Sequence, residues 1–169
     1  MKRGVNKIFS RQGSGAYMQD AVVDASKGMQ KRNVARPIIV VLTVEEGVEF
    51  SNIRHDAALK ELQKSGAVLH ILAIGQPNPS QEDEMRSRQI FIAEGTRQTG
   101  GRAFFPTSVG ELPGIYQQIS EELANQYSLA YSSRNTSRNG AWRRLVVRLT
   151  RPGLQPRTRL GYFAPSATQ

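Results

Sequence analysis

The chain contains no cysteine, which excludes disulfides, thiolate metal sites and cysteine nucleophiles. Only two histidines and one tryptophan occur. No apolar run approaches membrane-spanning length. Met1 to Ser10 carry Lys2, Arg3 and Lys7 with no apolar core of signal-peptide length behind them, so the chain as written is expected to be soluble and without an export signal. Acidic side chains disappear altogether from Leu123 onward, where Arg134, Arg138, Arg143, Arg144, Arg148, Arg151, Arg157 and Arg159 contribute +8 of the net +9. The rest of the chain therefore holds +1 (9 minus 8). Arginines spaced along strands protect edges and keep a protein soluble; polyanion binding is the alternative.

What the chain does have is one core's worth of apolar residues, 38% of 169, in a helix–strand alternation. Ala16 to Lys31 shows a helical stripe at Met18, Ala21, Val22, Ala25 and Met29, entered by Gly13-Ser14-Gly15. The run Pro37-Ile38-Ile39-Val40-Val41-Leu42-Thr43 reads as a strand buried on both faces inside a parallel sheet. In such sheets ligands bind beyond the carboxyl ends of the strands, so Val44 stands where chemistry would be sought, and a valine neither holds a metal nor moves a proton. A helix from about Arg54 to Lys64, stopped by Ser65-Gly66, and a second central strand, Ala67 to Gly75, follow. His70, inside that strand, reads as a satisfied core or interface residue, and no triad assembles around it.

Gln81 to Glu94 is expected to be helical, although Ile90-Phe91-Ile92 alone also fits a strand. Arg102 to Phe105 is a short strand, and Gly110 to Gln126 a helix with Pro113 in its first turn. Beyond Gln126 the period becomes two. Tyr127–Tyr131 and Arg144–Leu149 are expected to form a long β-hairpin, and Arg157–Phe163 a further strand. Trp142 is expected to pack over the helix-to-sheet junction.

Several of these segments resemble a von Willebrand factor A-type domain: Gly13 to Ala21, Ile38 to Thr43, Ala67 to Gly75, and Thr99-Gly100-Gly101-Arg102-Ala103-Phe104-Phe105. Gln126 to Tyr131, Asn139 to Arg144, Arg151 to Leu154 and Gly161 to Pro165 resemble the C-terminal extension of the bacterial VWFA-related proteins abundant in acidobacteria. The resemblance implies a Rossmann-like α/β fold, a parallel sheet flanked by helices, with a C-terminal antiparallel hairpin plus one strand. Residues 1–126 would be a partial A-type domain, 127–165 a β extension packed on it, and 166–169 a disordered tail. Members of the family are commonly exported to the cell envelope or beyond.

In metal-competent members an Asp-x-Ser-x-Ser loop, a Thr and a distant Asp hold a divalent cation, and this chain departs at each. No Asp-x-Ser-x-Ser occurs in it. The threonine position falls on Ala16, with Ser14 the nearest hydroxyl, and the distant aspartate falls on Val44. No metal, other cofactor or catalytic residue is therefore expected. The family's first strand would precede residue 1, which would leave Ile38–Leu42 as an unpaired edge open to self-association or a protein partner and mark the chain as a piece of a longer protein. The expectation is a non-catalytic, metal-independent interaction or adhesion module. Its contacting loops would include Glu45, Glu46, Glu49, Phe50 and Asn78, with the three glutamates as a solvated face. The alternative is polyanion or nucleic-acid binding through Arg143, Arg144, Arg148, Arg157 and Arg159.

Overall fold

The computed structural model describes residues 16–45, 48–75 and 82–166. Among the described residues four α-helices flank a three-stranded parallel sheet, and a small antiparallel pair forms a separate sheet. In chain order the elements are α1 (Met18–Lys31), β1 (Ile38–Val44), α2 (His55–Ser65), β2 (Val68–Ile74), α3 (Glu82–Thr99), β3 (Ala103–Phe104), α4 (Leu112–Ala124), β4 (Trp142–Arg144) and β5 (Gly161–Phe163). Sheet order is β1-β2-β3. The Ile90–Ile92 run is helical, because α3 continues to Thr99 and turns Phe91 and Ile92 into the core with Thr96 and Thr99.

The sheet faces are unequal. Ile39 of β1 and Leu69, Ile71 and Ala73 of β2 pack with Met18, Val22 and Val23 of α1, Ala58 and Leu62 of α2, and Phe91 and Ile92 of α3. This is the main core. On the opposite face α4 sets Ile115 and Ile119 on Leu72, with Phe104, Leu112 and Leu123 at the margin. The 3-4-4 spacing from Leu112 to Leu123 makes that stripe. Pro113 stands in the first turn of α4, where its missing N–H costs nothing.

Glycine is required by geometry at positions that include 66 and 101. Gly66 closes α2 in the left-handed region at φ 67°, as expected from the Ser65-Gly66 stop. At Gly101 a Cβ would overlap the Leu69 carbonyl, so only glycine lets the chain entering β3 lie against β2. Just before it, the Thr99 hydroxyl accepts the Leu69 N–H at 3.0 Å and donates to the Gly95 carbonyl at 2.7 Å, satisfying an amide at the start of β2.

The C-terminal region departs from the expected long hairpin. Residues 127–131 and 145–149 form no strand; β4 pairs instead with β5, in the register Trp142↔Phe163, Arg143↔Tyr162 and Arg144↔Gly161. Arg143 explains the difference. Its guanidinium donates to the carbonyls of Asn135 (2.6 Å) and Ser137 (2.5 Å) and to the Ser133 hydroxyl (3.2 Å), folding the 133–137 turn onto β4. Leu145 N–H to the Leu160 carbonyl (2.8 Å) and Leu160 N–H to the Gln98 carbonyl (3.0 Å) tie the extension to itself and to α3. Trp142 packs edge-on against Phe163 at 5.0 Å.

Candidate functional site

β1 was expected to be covered on both faces and is covered on one. Its burial alternates along its length, and Val40, Leu42 and Val44 are 41%, 52% and 54% exposed. The register Val40↔His70, Leu42↔Leu72, Val44↔Ile74 places them on the α4 side of the sheet. α4 reaches Leu72 and Phe104 and stops short of the edge strand. Hydrophobic content sets which residues seek burial, but the position of α4 decides which of them obtain it.

Among the described residues β1 pairs on one side only, with β2. Val68 N–H donates to the Pro37 carbonyl and Glu45 N–H to the Ile74 carbonyl. In a parallel ladder that phase directs the backbone groups of Ile39, Val41 and Thr43 to β2 and those of Val40, Leu42 and Val44 outward. The outward groups and the exposed side chains thus belong to the same three residues, of which Val44 has its carbonyl taken by Arg88 of α3. Pro37 to Val44 contains no charge, so the edge lacks the charged guards that keep edges apart.

The carboxyl end of β1 is a buried ionic knot. Glu45, expected on a solvated loop face, is fully buried, as is Arg88 of α3. Arg88 donates to the Val44 carbonyl at 2.6 Å and the Thr43 hydroxyl at 3.0 Å, and lies 3.8 Å from a Glu45 oxygen; Gln89 donates to the other Glu45 oxygen at 3.0 Å. The turn after Val44 directs Glu45 inward, because α3 presents a cation there. Sequence reading missed Arg88. Its only signal was a cation at a position in phase with Met85, Phe91 and Ile92 on a helical stripe.

The neighbouring loop is stitched to the start of α1. Ala16 N–H donates to the Val48 carbonyl (2.8 Å) and Phe50 N–H to the Ala16 carbonyl (2.7 Å). Glu49, half-buried, accepts from Ser51 N–H at 3.3 Å and from the Ser51 hydroxyl. Asp20 accepts from the N–H groups of Asn52 (3.0 Å) and Ile53 (3.2 Å), and the Asn52 N–H holds its carboxyl below the usual carboxylate range. Phe50 remains exposed, its ring 6.3 Å from Tyr17. Glu46, Asn78, Ser14 and the Gly13–Gly15 entry lie outside the described residues.

A divalent cation does not fit the end of β1. Of the described oxygens there, the Thr43 hydroxyl and Val44 carbonyl accept from the Arg88 guanidinium, one Glu45 oxygen accepts from Gln89 and the other faces Arg88 at 3.8 Å, while the Val44 side chain is apolar and points to solvent. Ala16 contributes backbone hydrogen bonds to the 48–50 loop. Among the described residues no group of three or more His, Asp or Glu is placed to hold a metal ion.

The five arginines singled out in the tail separate into two sets. Arg143 is occupied by the 133–137 turn and lies 6.0 Å from the centre of the Tyr162 ring, and Arg157 is paired with Glu122 of α4. Arg144, Arg148 and Arg159 are exposed. Arg144 and Trp142 line an open groove of about 430 Å³ with Gln63, Gln98, Leu160 and Arg97, the last ion-paired with Glu94.

His70 is buried on β2, with neither ring nitrogen hydrogen-bonded among the described residues. Its expected satisfaction is absent. Glu122 lies 3.9 Å away, and burial pushes the imidazole below its ordinary value.

Compared with protein-family models, with curated proteins and with solved structures, the chain matches none. The fold stands on its own geometry: mixed α/β, with, among the described residues, a three-stranded parallel sheet, four flanking helices and a separate two-stranded antiparallel sheet. Among the described residues no helix is long and apolar enough to cross a membrane.

Proposed function

We propose that this chain is a non-catalytic, metal-independent protein-interaction module of the von Willebrand factor A type, and that it binds through β1. One observation carries the reading: outward backbone groups and exposed apolar side chains of β1 coincide at Val40 and Leu42, and at Val44 for its N–H, its carbonyl being held by Arg88. The partner is a protein segment that adds an uncharged strand to the edge and lays apolar side chains over the stripe. Seven residues span about 23 Å at the usual strand rise. Edge pairing over that length alone falls below the roughly 1,200 Å² of a stable interface, so the stripe must be covered as well. The Arg88–Glu45 knot supports metal independence, since a permanently charged guanidinium does at the strand end what a cation would otherwise do.

The test compares wild type with Val40→Lys/Leu42→Lys, by size exclusion with light scattering and by pull-down with and without chelator. Association should occur in the wild type, persist in chelator, and fall at least tenfold in the charged variant while its circular dichroism is unchanged. Equal association by both proteins, association abolished by chelator, or no association at all overturns the reading. A second copy as the partner would appear as a dimer in scattering.

Polyanion binding by the extension is the second reading, favoured by one observation. Arg134, Arg138, Arg144, Arg148, Arg151 and Arg159 are all exposed in a region devoid of acids.

A further inference from the structure

The contact between α4 and the sheet contains an arrangement that neither the edge strand nor the arginine tail uses. One carboxylate oxygen, Oε1 of Glu122 on α4, faces two basic groups. The Arg157 guanidinium, from the segment leading to β5, holds it, and Nε2 of His70 on β2 lies 3.9 Å from it. His70 is completely buried, and both its ring nitrogens lack a hydrogen-bond partner among the described residues. Arg102, just before β3, is the other charged group that bears on the ring, and β1 presents the uncharged Val40 opposite it. A neutral imidazole tolerates this place. An imidazolium would meet Arg157 and Arg102 with only a shared carboxylate in compensation.

α4 is also lightly held: it packs alone on its face of the sheet, whereas α1, α2 and α3 share the other. Its core contains three buried residues, Leu72, Ile115 and Ile119, against twelve in the main core. Segments with few buried apolar contacts open first. Opening α4 gives His70 water, and with it the freedom to take up a proton.

We infer that α4 is an acid-released flap: protonation of His70 favours the state in which α4 and its Glu122–Arg157 clasp have left the sheet. The linkage has a definite sign. A histidine whose folded value lies below 6.5 binds protons more readily once exposed, so the closed state is favoured fully above 6.5 and progressively loses ground as the pH falls below it. One unit below 6.5 the opening equilibrium rises by at most about tenfold. Release would bare Leu72 and Phe104 beside Val40, Leu42 and Val44, widening the apolar face. That consequence rests on the docking reading; release of the helix itself does not.

Amide hydrogen exchange of the full chain tests the release directly, at about pH 7.5 and about pH 5.5, corrected for the intrinsic exchange rate. Protection of Ile119 and Leu123 should fall, by at most about tenfold, at the lower pH while Leu69 and Ile71 keep theirs. In His70→Leu the α4 amides should keep their protection at both values, and in Glu122→Gln, which retains the histidine, the pH dependence should persist. Three results overturn the inference: α4 protection independent of pH in the wild type; an equal fall in β2, which would mean global unfolding; or a fall in His70→Leu as large as in the wild type. Loss of partner binding with α4 release intact would instead count against the docking reading alone.

Discussion

Replacing Arg88 by methionine keeps most of the side chain's length and apolar bulk and removes its charge and its donors. The structure sets the size of the effect. The Val44 carbonyl loses a 2.6 Å hydrogen bond, the Thr43 hydroxyl a 3.0 Å one, and a fully buried Glu45 loses the cation 3.8 Å away. Deleting one member of a buried pair strands the other, at a cost of about 3–5 kcal/mol. Against a total stability of about 5–15 kcal/mol for a native domain this is a large share. In a urea titration followed by circular dichroism the midpoint should fall by about 2 M, taking a slope of about 2 kcal/mol per molar. Glu45→Leu/Arg88→Met removes both charges, and the double variant should recover most of the loss, because a buried pair is often no more stable than apolar residues of similar volume. The coupling between the two sites should therefore be several kcal/mol. Should Arg88→Met fail to fold, the double variant still reports, since its recovery is the expected result. A coupling within about 0.5 kcal/mol of zero would show that the two side chains do not depend on each other, and the account of the strand end would be refuted.

Neutralising Arg144, Arg148 and Arg159 to Gln should abolish any binding of random single-stranded oligonucleotides at low salt, and flatten its salt dependence, in a fluorescence-anisotropy titration. Arg143→Gln, by contrast, should disturb the 133–137 turn, read as faster amide exchange there. Absence of any saturable signal for wild type at low salt would remove the polyanion reading. Tyr162 offers a pH test: hydrogen bonds from Tyr131, Arg143 and Ser133 lower its hydroxyl from 10.0 to about 8, so one tyrosinate should appear near pH 8 in ultraviolet absorbance and be missing in Tyr162→Phe. With the folded value depressed, this group favours the folded state fully above 10.0 and the contribution fades as pH falls through about 8. A titration curve identical in wild type and variant would contradict the Tyr131–Tyr162–Arg143 geometry.

The legible parts of the fold were those in which local pattern and burial agree. The β-branched run from Ile38, the run from Val68, the stripe of α1 and the Gly66 stop each announce their element, since backbone preference and side-chain periodicity point the same way. Gln81 to Glu94 was harder to bound: α3 continues to Thr99, and Thr96 and Thr99 can be buried in it because their hydroxyls return to helix carbonyls. The extension misled the period-two reading. Alternation says that a segment is extended, whereas its partner is chosen elsewhere, here by Arg143 gathering the 133–137 turn and by Leu145 and Leu160 joining.

The candidate site divides in the same way. Ala16 and Val44 could be read as poor metal ligands from their chemistry alone, because no fold gives a methyl or isopropyl group a lone pair. That Glu45 turns inward to Arg88 was beyond the sequence, since the two are brought together only by α3 crossing the end of β1. The sequence by itself determined that this chain alternates helix and strand, carries its positive charge in an acid-free tail, and places an uncharged strand at Ile38–Val44. Only tertiary structure decided that one face of that strand is exposed, that His70 is buried without a hydrogen bond among the described residues, and which arginines are spent within the fold. Composition and periodicity state what each residue tolerates; where α3 and α4 come to rest decides what each one receives.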